Sequence, residues 1–292
     1  MIQVTPCGRS PKLFIHWCSP RITVEFRTAR KQLHNNKDTH ERSQDKETVP
    51  RRQRDKMTTQ EHDMWDELNI AYEHAYRNNP FKQDCVEKAI ALLEPGSRVL
   101  DVGCGTGVPV AQMLATSGMD VYGTDVAPQM IRHAKASVKG AFEVASMVDH
   151  QPQGTFDAIF IIFSQLGLSY ADFHRTVYQL AKTLRPNGLL IIGQAPAEQV
   201  VAEQDIAWDE TQSYVESYNL PFWGQPFPTL MFSRAGQKAF LESMGFAVVY
   251  DEVNIFQPDN PNCDTEQQQY IIAQRNSDAT VKQPRPTPNS AA

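Results

Sequence analysis

The sequence predicts an open, doubly wound α/β sheet. Three observations carry that expectation. Strand-like and helix-like runs alternate from about residue 80 to residue 276. One run, "FDAIFIIFSQL", is apolar almost throughout, as a parallel strand covered on both faces has to be. A glycine-rich stretch, "VGCGTG", follows directly on the first strand, where such sheets bind ligands.

In chain order, Trp65, Leu68, Tyr72, Ala75 and Tyr76 recur at helical spacing and give a helix with an aromatic stripe. "PFKQDCVEKAIALLEPGSR" is a second helix, opened by Pro80 and closed by Pro95-Gly96. Val99 to Val102 is the first strand, and Val108 to Ser117 a helix with Pro109 in its first turn, where a missing N–H costs nothing. "VYGTDV" and "AFEVASM" are strands on either side of the helix "PQMIRHAKASV". "FDAIFIIFSQL" is the fourth strand, and the helix "DFHRTVYQLAKTLRPNG" is expected to stop at Pro186 and Gly188. "LLIIGQ" is the fifth strand. The segment from Ala195 to Leu230 reads as irregular and aromatic-rich; after it come a helix, "SRAGQKAFLESMGF", and two closing strands, "AVVYDEVNIFQ" and "QQQYIIAQR".

Charge divides the 292 residues unevenly. Residues 1–56 hold 13 Lys/Arg against 6 Asp/Glu, a net +7, while the remainder holds 15 bases and 28 acids, a net −13. An acidic body argues against a nucleic-acid surface, which needs a basic face. The expected division is therefore a disordered basic arm over 1–56, a folded domain over 57–276 and a Pro-rich disordered tail over 277–292. The arm has three readings: a transit peptide, a nuclear or nucleic-acid tail carried by "PRRQRDK", or a leader outside a working protein that starts at Met57. Five scattered cysteines without CxxC or Cys/His spacing point to a reducing compartment and no metal site. No apolar run is long enough for a membrane span, so a cytoplasmic protein is expected, or a mitochondrial or nuclear one if the arm is a targeting signal.

The loop after the first strand has the pattern G-x-G-x-G, at Gly103, Gly105 and Gly107, with Asp101 just ahead of it and Asp125 at the end of the next strand. Glycines there permit positive φ and let a ligand approach the backbone, and the following helix presents its N–H groups to an anion. An acid in the position of Asp125 suits a ribose. A dinucleotide would want its third glycine where Val108 stands, and Asp101 would repel a pyrophosphate but could meet an ammonium. The balance favours S-adenosylmethionine.

"VLDVGCGTG", "VYGTDVAPQMIRHAK", "FDAIF" and "LRPNGLLII", in that order, resemble the successive motifs of class I S-adenosylmethionine-dependent methyltransferases, over roughly Ala89 to Gln194. The resemblance implies a Rossmann-like fold, with a seven-stranded, mostly parallel sheet whose final strand is antiparallel, and S-adenosyl-L-methionine as cofactor. It places Asp101, Gly103, Gly105 and Gly107 at the methionine end, Asp125 at the ribose, and Val126, Ser146 and Met147 at the adenine. Ser146 is a departure, because the family usually has an acid there. Phe163 and Ser164 fall below the transferable methyl. Tyr72 and Tyr76 are either cofactor-covering residues or helix packing. Asp157 is expected to be structural, and Cys104 a loop filler without an adjacent base.

An aromatic lid insertion is expected to bind substrate through Trp208, Tyr214, Tyr218, Phe222 and Trp223. His174 and Asp209 are the candidate general bases, with His150 and Glu210 as lesser ones. "FSQL" lacks the [DNS]-P-P-[FYW] pattern of enzymes methylating base or amide nitrogens. The expected activity is methyl transfer to an apolar or aromatic small molecule, on oxygen or nitrogen. Its rivals are a protein methyltransferase or regulatory subunit, and a related fold that uses the bound sulfonium for another reaction.

Overall fold

The computed structural model describes residues 51–200, 208–277 and 280–284. The elements run α1 (Arg51–Tyr76), α2 (Pro80–Ala91), β1 (Arg98–Val102), α3 (Val110–Thr116), β2 (Asp120–Asp125), α4 (Pro128–Ser137), β3 (Ala141–Val144), β4 (Phe156–Ile162), α5 (Tyr170–Ala181), β5 (Leu184–Gln194), α6 (Ala197–Val200), β6 (Tyr214–Phe222), β7 (Gln225–Phe232), α7 (Arg234–Ser243), β8 (Phe246–Phe256) and β9 (Glu266–Arg275). Seven of the strands form one sheet in the order β3-β2-β1-β4-β5-β9-β8, and β6 and β7 form a separate hairpin. β1 to β5 pair in parallel, and β9 runs antiparallel to both of its neighbours.

Two-residue alternation divides the central strands between two apolar layers. Ile159, Ile161, Leu190, Ile192, Ile271 and Ala273 face α5 and α7, where Phe173, Val177, Phe240 and Leu241 meet them. Ala158, Phe160, Leu189, Ile191, Tyr270 and Ile272 face α2, α3 and α4, where Cys85, Val86, Ala111, Leu114 and Ile131 meet them. The near-continuous apolar runs of β4 and β5 are thus explained by burial on both sides.

Helix starts are fixed locally where a capping side chain exists. Asn79 caps α2 by accepting from the backbone N–H groups of Phe81 and Lys82, and Ser169 and Ser233 cap α5 and α7 in the same way. At the start of α4 the capping position is Ala127, which cannot do this. Asp66 of α1 supplies the missing acceptor from 63 residues away, at 2.9 Å from the N–H of Gln129. That bond ties α1 to the start of α4. α1 itself breaks at Asn69, whose φ of 16° and ψ of −102° lie outside the helical region.

Three sequence expectations change. The segment expected to be irregular contains the β6–β7 hairpin, joined by a two-residue turn in which Trp223 and Gly224 both have positive φ. α5 ends at Ala181 rather than at Pro186, and β5 starts already at Leu184. The tail does not leave the body at residue 277. Val281 is buried in the main core, and the N–H of Lys282 bonds to the Met244 carbonyl. Of the basic arm, residues 1–50 lie outside the described residues, and residues 51–56 open α1. No helix among the described residues is long and apolar enough to cross a membrane.

Candidate active site

The glycine loop is shaped by β2. The N–H groups of Gly103 and Cys104 both bond to the Thr124 carbonyl, at 2.7 and 2.9 Å. Asp125 then grips the loop with both carboxylate oxygens, one accepting from Gly105 N–H and the other from Ala127 N–H, each at 2.9 Å. Gly103 has no room for a side chain: a Cβ there would lie 2.2 Å from the Cβ of Ser164. Gly105, at φ +56°, would meet nothing nearer than the Met130 sulfur at 3.9 Å, so its open side faces the cleft. Gly107 differs, because its side faces Val138 and Ala134 at the end of α4. Among the sequence-predicted loop residues it serves packing and does not line the cleft.

The cleft above this loop has a volume of about 1280 Å³ with its mouth included. Asp101 and the loop form the floor at one end. Val126, Met130, Ser146 and Met147 also line it, as do Phe163, Ser164, Leu166 and Leu168, with Ser164 directly against Gly103. Trp65, Tyr72, Glu73 and Tyr76 of α1 close the roof. The predicted residues Asp101, Gly103, Gly105, Asp125, Val126, Ser146, Met147, Phe163, Tyr72 and Tyr76 are thereby brought together in one place.

Electrostatics concentrate at the loop end. Asp101 is 3% exposed, and its Oδ2 has no hydrogen-bond partner among the described residues. Burial pushes its carboxyl up to about 7, the charge of Asp125 adds to this, and Lys82 pulls the other way. Lys82 also lines the cleft; burial lowers its ammonium to about 8 against the opposing pull of Glu266 and Asp101. Burial, followed by the charge of Glu266, raises both Tyr72 and Tyr76, so these phenols stay protonated donors. Their rings lie 4.7 Å apart. Burial likewise pushes the Cys104 thiol well up, which excludes a thiolate nucleophile.

Phe163, also lining the cleft, sits at φ +57°, a conformation unfavourable for an aromatic residue. It is held by its N–H on the Gly193 carbonyl at 3.0 Å and by its ring, edge-on to Tyr270 at 5.8 Å. The Ser164 hydroxyl beside it is buried without a partner among the described residues and lines the cleft. Ser146 shapes its own turn, its carbonyl accepting from the N–H groups of Asp149 and His150. Asp157 accepts from the N–H of Arg98 and pairs with Arg185, a structural clasp between strands.

The other predicted residues stand elsewhere. None of Trp208, Tyr214, Tyr218, Phe222 and Trp223 lines the cleft. Tyr214 is buried in the main core, stacked on Tyr170 at 3.9 Å between ring centroids. Trp208 and Tyr218 pack against Ala195, Ala197, Val215 and Met231. Phe222 and Trp223, at the hairpin tip, pack on α1: Phe222 lies 5.5 Å from Trp65, and Trp223 joins the cluster of Ala75, Tyr76 and Phe256. His174 belongs to the α5–α7 layer, its Nε2 3.2 Å from the Pro284 carbonyl and its ring beside Tyr170 and Phe240. Asp209 organises a turn; burial would raise its carboxyl, but the Thr211 hydroxyl and the N–H groups of Tyr214, Thr211 and Ser213 hold it below the usual range. His150 pairs with Glu143 at 3.1 Å.

Lys82, Trp65, Glu73, Met130, Leu166 and Leu168 are among the cleft residues that sequence reasoning missed as site residues. The signal for Lys82 was present: it shares a helical face with Cys85, Val86 and Ala89, so a cation stands on a buried stripe.

Residues 99–188 match the family described as a methyltransferase domain. The chain is 34% identical over 122 residues to a ubiquinone biosynthesis O-methyltransferase of Xanthomonas campestris pv. campestris, a match covering 39% of this chain and 48% of that one. The chain thus spans about half the length of this curated relative. Among solved structures, a 1,6-didemethyltoxoflavin-N1-methyltransferase of Burkholderia thailandensis superposes with a TM-score of 0.57 at 13% identity, over 80% of this chain and 93% of that one. Magnesium protoporphyrin IX methyltransferase of Synechocystis PCC 6803, with bound S-adenosylmethionine, gives 0.52 at 16% identity, over 75% and 97%. Residues 99–188 match the methyltransferase-domain family, and the chain has the Rossmann-like fold of class I S-adenosylmethionine-dependent methyltransferases.

Proposed function

We propose that the protein is an S-adenosylmethionine-dependent methyltransferase acting on an apolar or aromatic small molecule. The observation that carries this is the buried carboxylate of Asp101, which faces the cleft with one oxygen lacking a hydrogen-bond partner among the described residues. An ionised acid left alone there is costly, and an ammonium at the methionine end of the ligand would relieve it. Asp125 stands one strand over for the ribose, and Val126, Met130 and Met147 offer an apolar slot for the adenine.

S-adenosylmethionine supplies an already activated methyl on a sulfonium, so little more than alignment and exclusion of water is asked of the chain. Phe163 and Ser164 form the surface on which the acceptor atom rests, with Leu166 and Leu168 giving it an apolar wall. The Ser164 hydroxyl is the polar group available to orient an acceptor oxygen or nitrogen. Trp65, Tyr72 and Tyr76 line the cleft, and aromatic rings beside a sulfonium stabilise it. His174 and Asp209 do not reach this space and are not assigned as bases.

The relatives described for the active site carry the names of small molecules, which supports a metabolite as acceptor. A partner of this kind fits an apolar end wall and needs neither a nucleic acid nor a membrane. The test is incubation with a cell extract and S-adenosylmethionine labelled on its methyl. Label is expected in the organic-soluble fraction; label confined to acid-precipitated macromolecules would replace the small-molecule acceptor with a protein.

A further inference from the structure

The cleft holds polar groups that the fold already uses and others that it leaves open. Asp125 holds the N–H groups of Gly105 and Ala127, Arg77 pairs with Glu73, and the Asn69 amide bonds to the Asp66 carbonyl and the Ile70 N–H. Asp101 and Lys82 act on one another and stand where the charged end of the cofactor is proposed to lie. The hydroxyls of Ser164 and Tyr72 are engaged with none of these. Ser164 follows β4 and lies against Gly103, and its Oγ is buried without a hydrogen-bond partner among the described residues. Tyr72 lines the same cleft from α1, and its hydroxyl has no hydrogen-bond partner among the described residues either. An unanswered hydroxyl in such a place is unfavourable, and a bound ligand atom relieves it.

Both hydroxyls can donate a hydrogen bond, and neither can take a proton from an acceptor. Burial, followed by the charge of Glu266, keeps Tyr72 protonated, and burial keeps Cys104 a thiol. No histidine among the described residues lines the cleft. An alcohol, phenol or ammonium has to lose a proton to be methylated, which calls for a base. A carboxylate does not, because it is already ionised at neutral pH. Its charge also suits the partner. In apolar surroundings such as Val126, Met130, Met147 and Leu166 provide, an anion and a sulfonium attract more strongly than in water. Two charge-assisted hydrogen bonds offset the cost of taking the anion out of water.

We infer that the acceptor is a carboxylic acid, held as its carboxylate by the hydroxyls of Ser164 and Tyr72, and that the product is a methyl ester. The inference rests on the methyltransferase reading and narrows it from oxygen or nitrogen to one kind of oxygen. One carboxylate oxygen forms the bond to the methyl carbon, while the carbon–sulfur bond breaks and leaves its electron pair on sulfur. No proton moves, and the two charges cancel.

The full chain is incubated with methyl-labelled S-adenosylmethionine and an extract of its source cells, and the organic-soluble product is then exposed to mild alkali. Esters hydrolyse and release the label as volatile methanol, whereas methyl ethers and N-methyl groups survive. Volatile label is expected. Label that stays in the organic product would overturn the inference, because the acceptor would then be a phenol, alcohol or amine. Ser164→Ala and Tyr72→Phe test the two hydroxyls at saturating cofactor and limiting acceptor. Each is expected to form alkali-labile label roughly 10- to 100-fold more slowly, the size of one hydrogen bond to a charged group. Tyr72→Phe keeps the ring, so a loss there reads the hydroxyl and not the packing. Variants as fast as the wild type would overturn the assignment of these hydroxyls. Calorimetry with S-adenosylhomocysteine tells the two readings apart. A chain that binds it yet forms no alkali-labile product overturns this inference alone; one that binds nothing and labels nothing removes the methyltransferase reading as well.

Discussion

Asp125 holds the glycine loop and is the residue proposed to meet the ligand's ribose. Its two oxygens hold the backbone N–H groups of Gly105 and Ala127, so it fixes the loop before any ligand enters. Removing it strips two backbone donors of their acceptor, at about 1–3 kcal/mol each where they are buried. Asp125→Ala is therefore expected to lower thermal stability and to weaken S-adenosylhomocysteine binding at least about 100-fold, because the ribose hydroxyls are deprived of their acceptor as well. Asp125→Asn, which keeps an acceptor oxygen for the loop, is expected to recover most of the stability and less of the affinity. Calorimetry and thermal melting on the two variants check this; an Asp125→Ala chain that binds normally would mean the ribose sits elsewhere. Asp125 was legible because its spacing from the glycines is itself a signal. Lys82 was not, because a lysine in a short amphipathic helix reads as solvent-facing unless its register with Cys85, Val86 and Ala89 is weighed. His174 and Asp209 were chosen by residue type alone, and their actual partners, the Pro284 carbonyl and the Thr211–Tyr214 turn, come from contacts that no motif encodes.

The central elements were read nearly to their ends, because strands buried on both faces declare themselves as apolar runs and their helices carry period and caps. The hairpin was not, and its own residues explain why. Pro221, Pro226 and Pro228 lie within β6 and β7, and proline normally argues against a strand. They are tolerated here because the hairpin is a separate two-stranded sheet, so each strand pairs with a neighbouring strand along one edge only. Its turn is Trp223-Gly224, without the Asn or Asp that usually marks positive φ. The consequence is that the aromatic residues expected to touch substrate instead build the hairpin's base and its contact with α1. Phe222 meets Trp65 at 5.5 Å and Tyr72 at 6.2 Å, both of them roof residues. Each such ring pair contributes about 0.5–1.5 kcal/mol. Phe222→Ala is expected to leave the sheet's exchange protection intact while α1 exchanges its backbone hydrogens faster and the cleft binds S-adenosylhomocysteine more weakly. Hydrogen exchange measured by mass spectrometry separates the two regions, and unchanged α1 protection would show that the hairpin does not hold the roof.

Across the whole molecule, charged and titratable groups gather at the cleft. Asp101 and Lys82 face it with Asp125, Glu73 and the protonated Tyr72 and Tyr76, and Glu266 stands behind Lys82. The folded pKa of Asp101, at about 7, lies above its ordinary value, so between the usual carboxylate range and pH 7 the folded state holds a proton that the unfolded chain has lost. The ligand-free protein should accordingly lose stability as pH rises through that window. Lys82 is shifted the opposite way, to about 8 from 10.5, so its penalty is present below pH 8 and relieved above it. Ligand binding sees the same groups with the sign reversed. A ligand ammonium needs Asp101 ionised, so affinity is expected to rise about tenfold per pH unit below 7, and a ligand carboxylate needs Lys82 charged, so affinity should fall above 8. The expected profile for S-adenosylhomocysteine is a bell with its maximum between about pH 7 and 8, accompanied by proton release at about pH 6.5 as Asp101 ionises. Titrations in two buffers of different ionisation enthalpy measure that release directly. A flat profile with no proton exchanged would mean that Asp101 is already ionised in the empty cleft, and that some other group answers its charge.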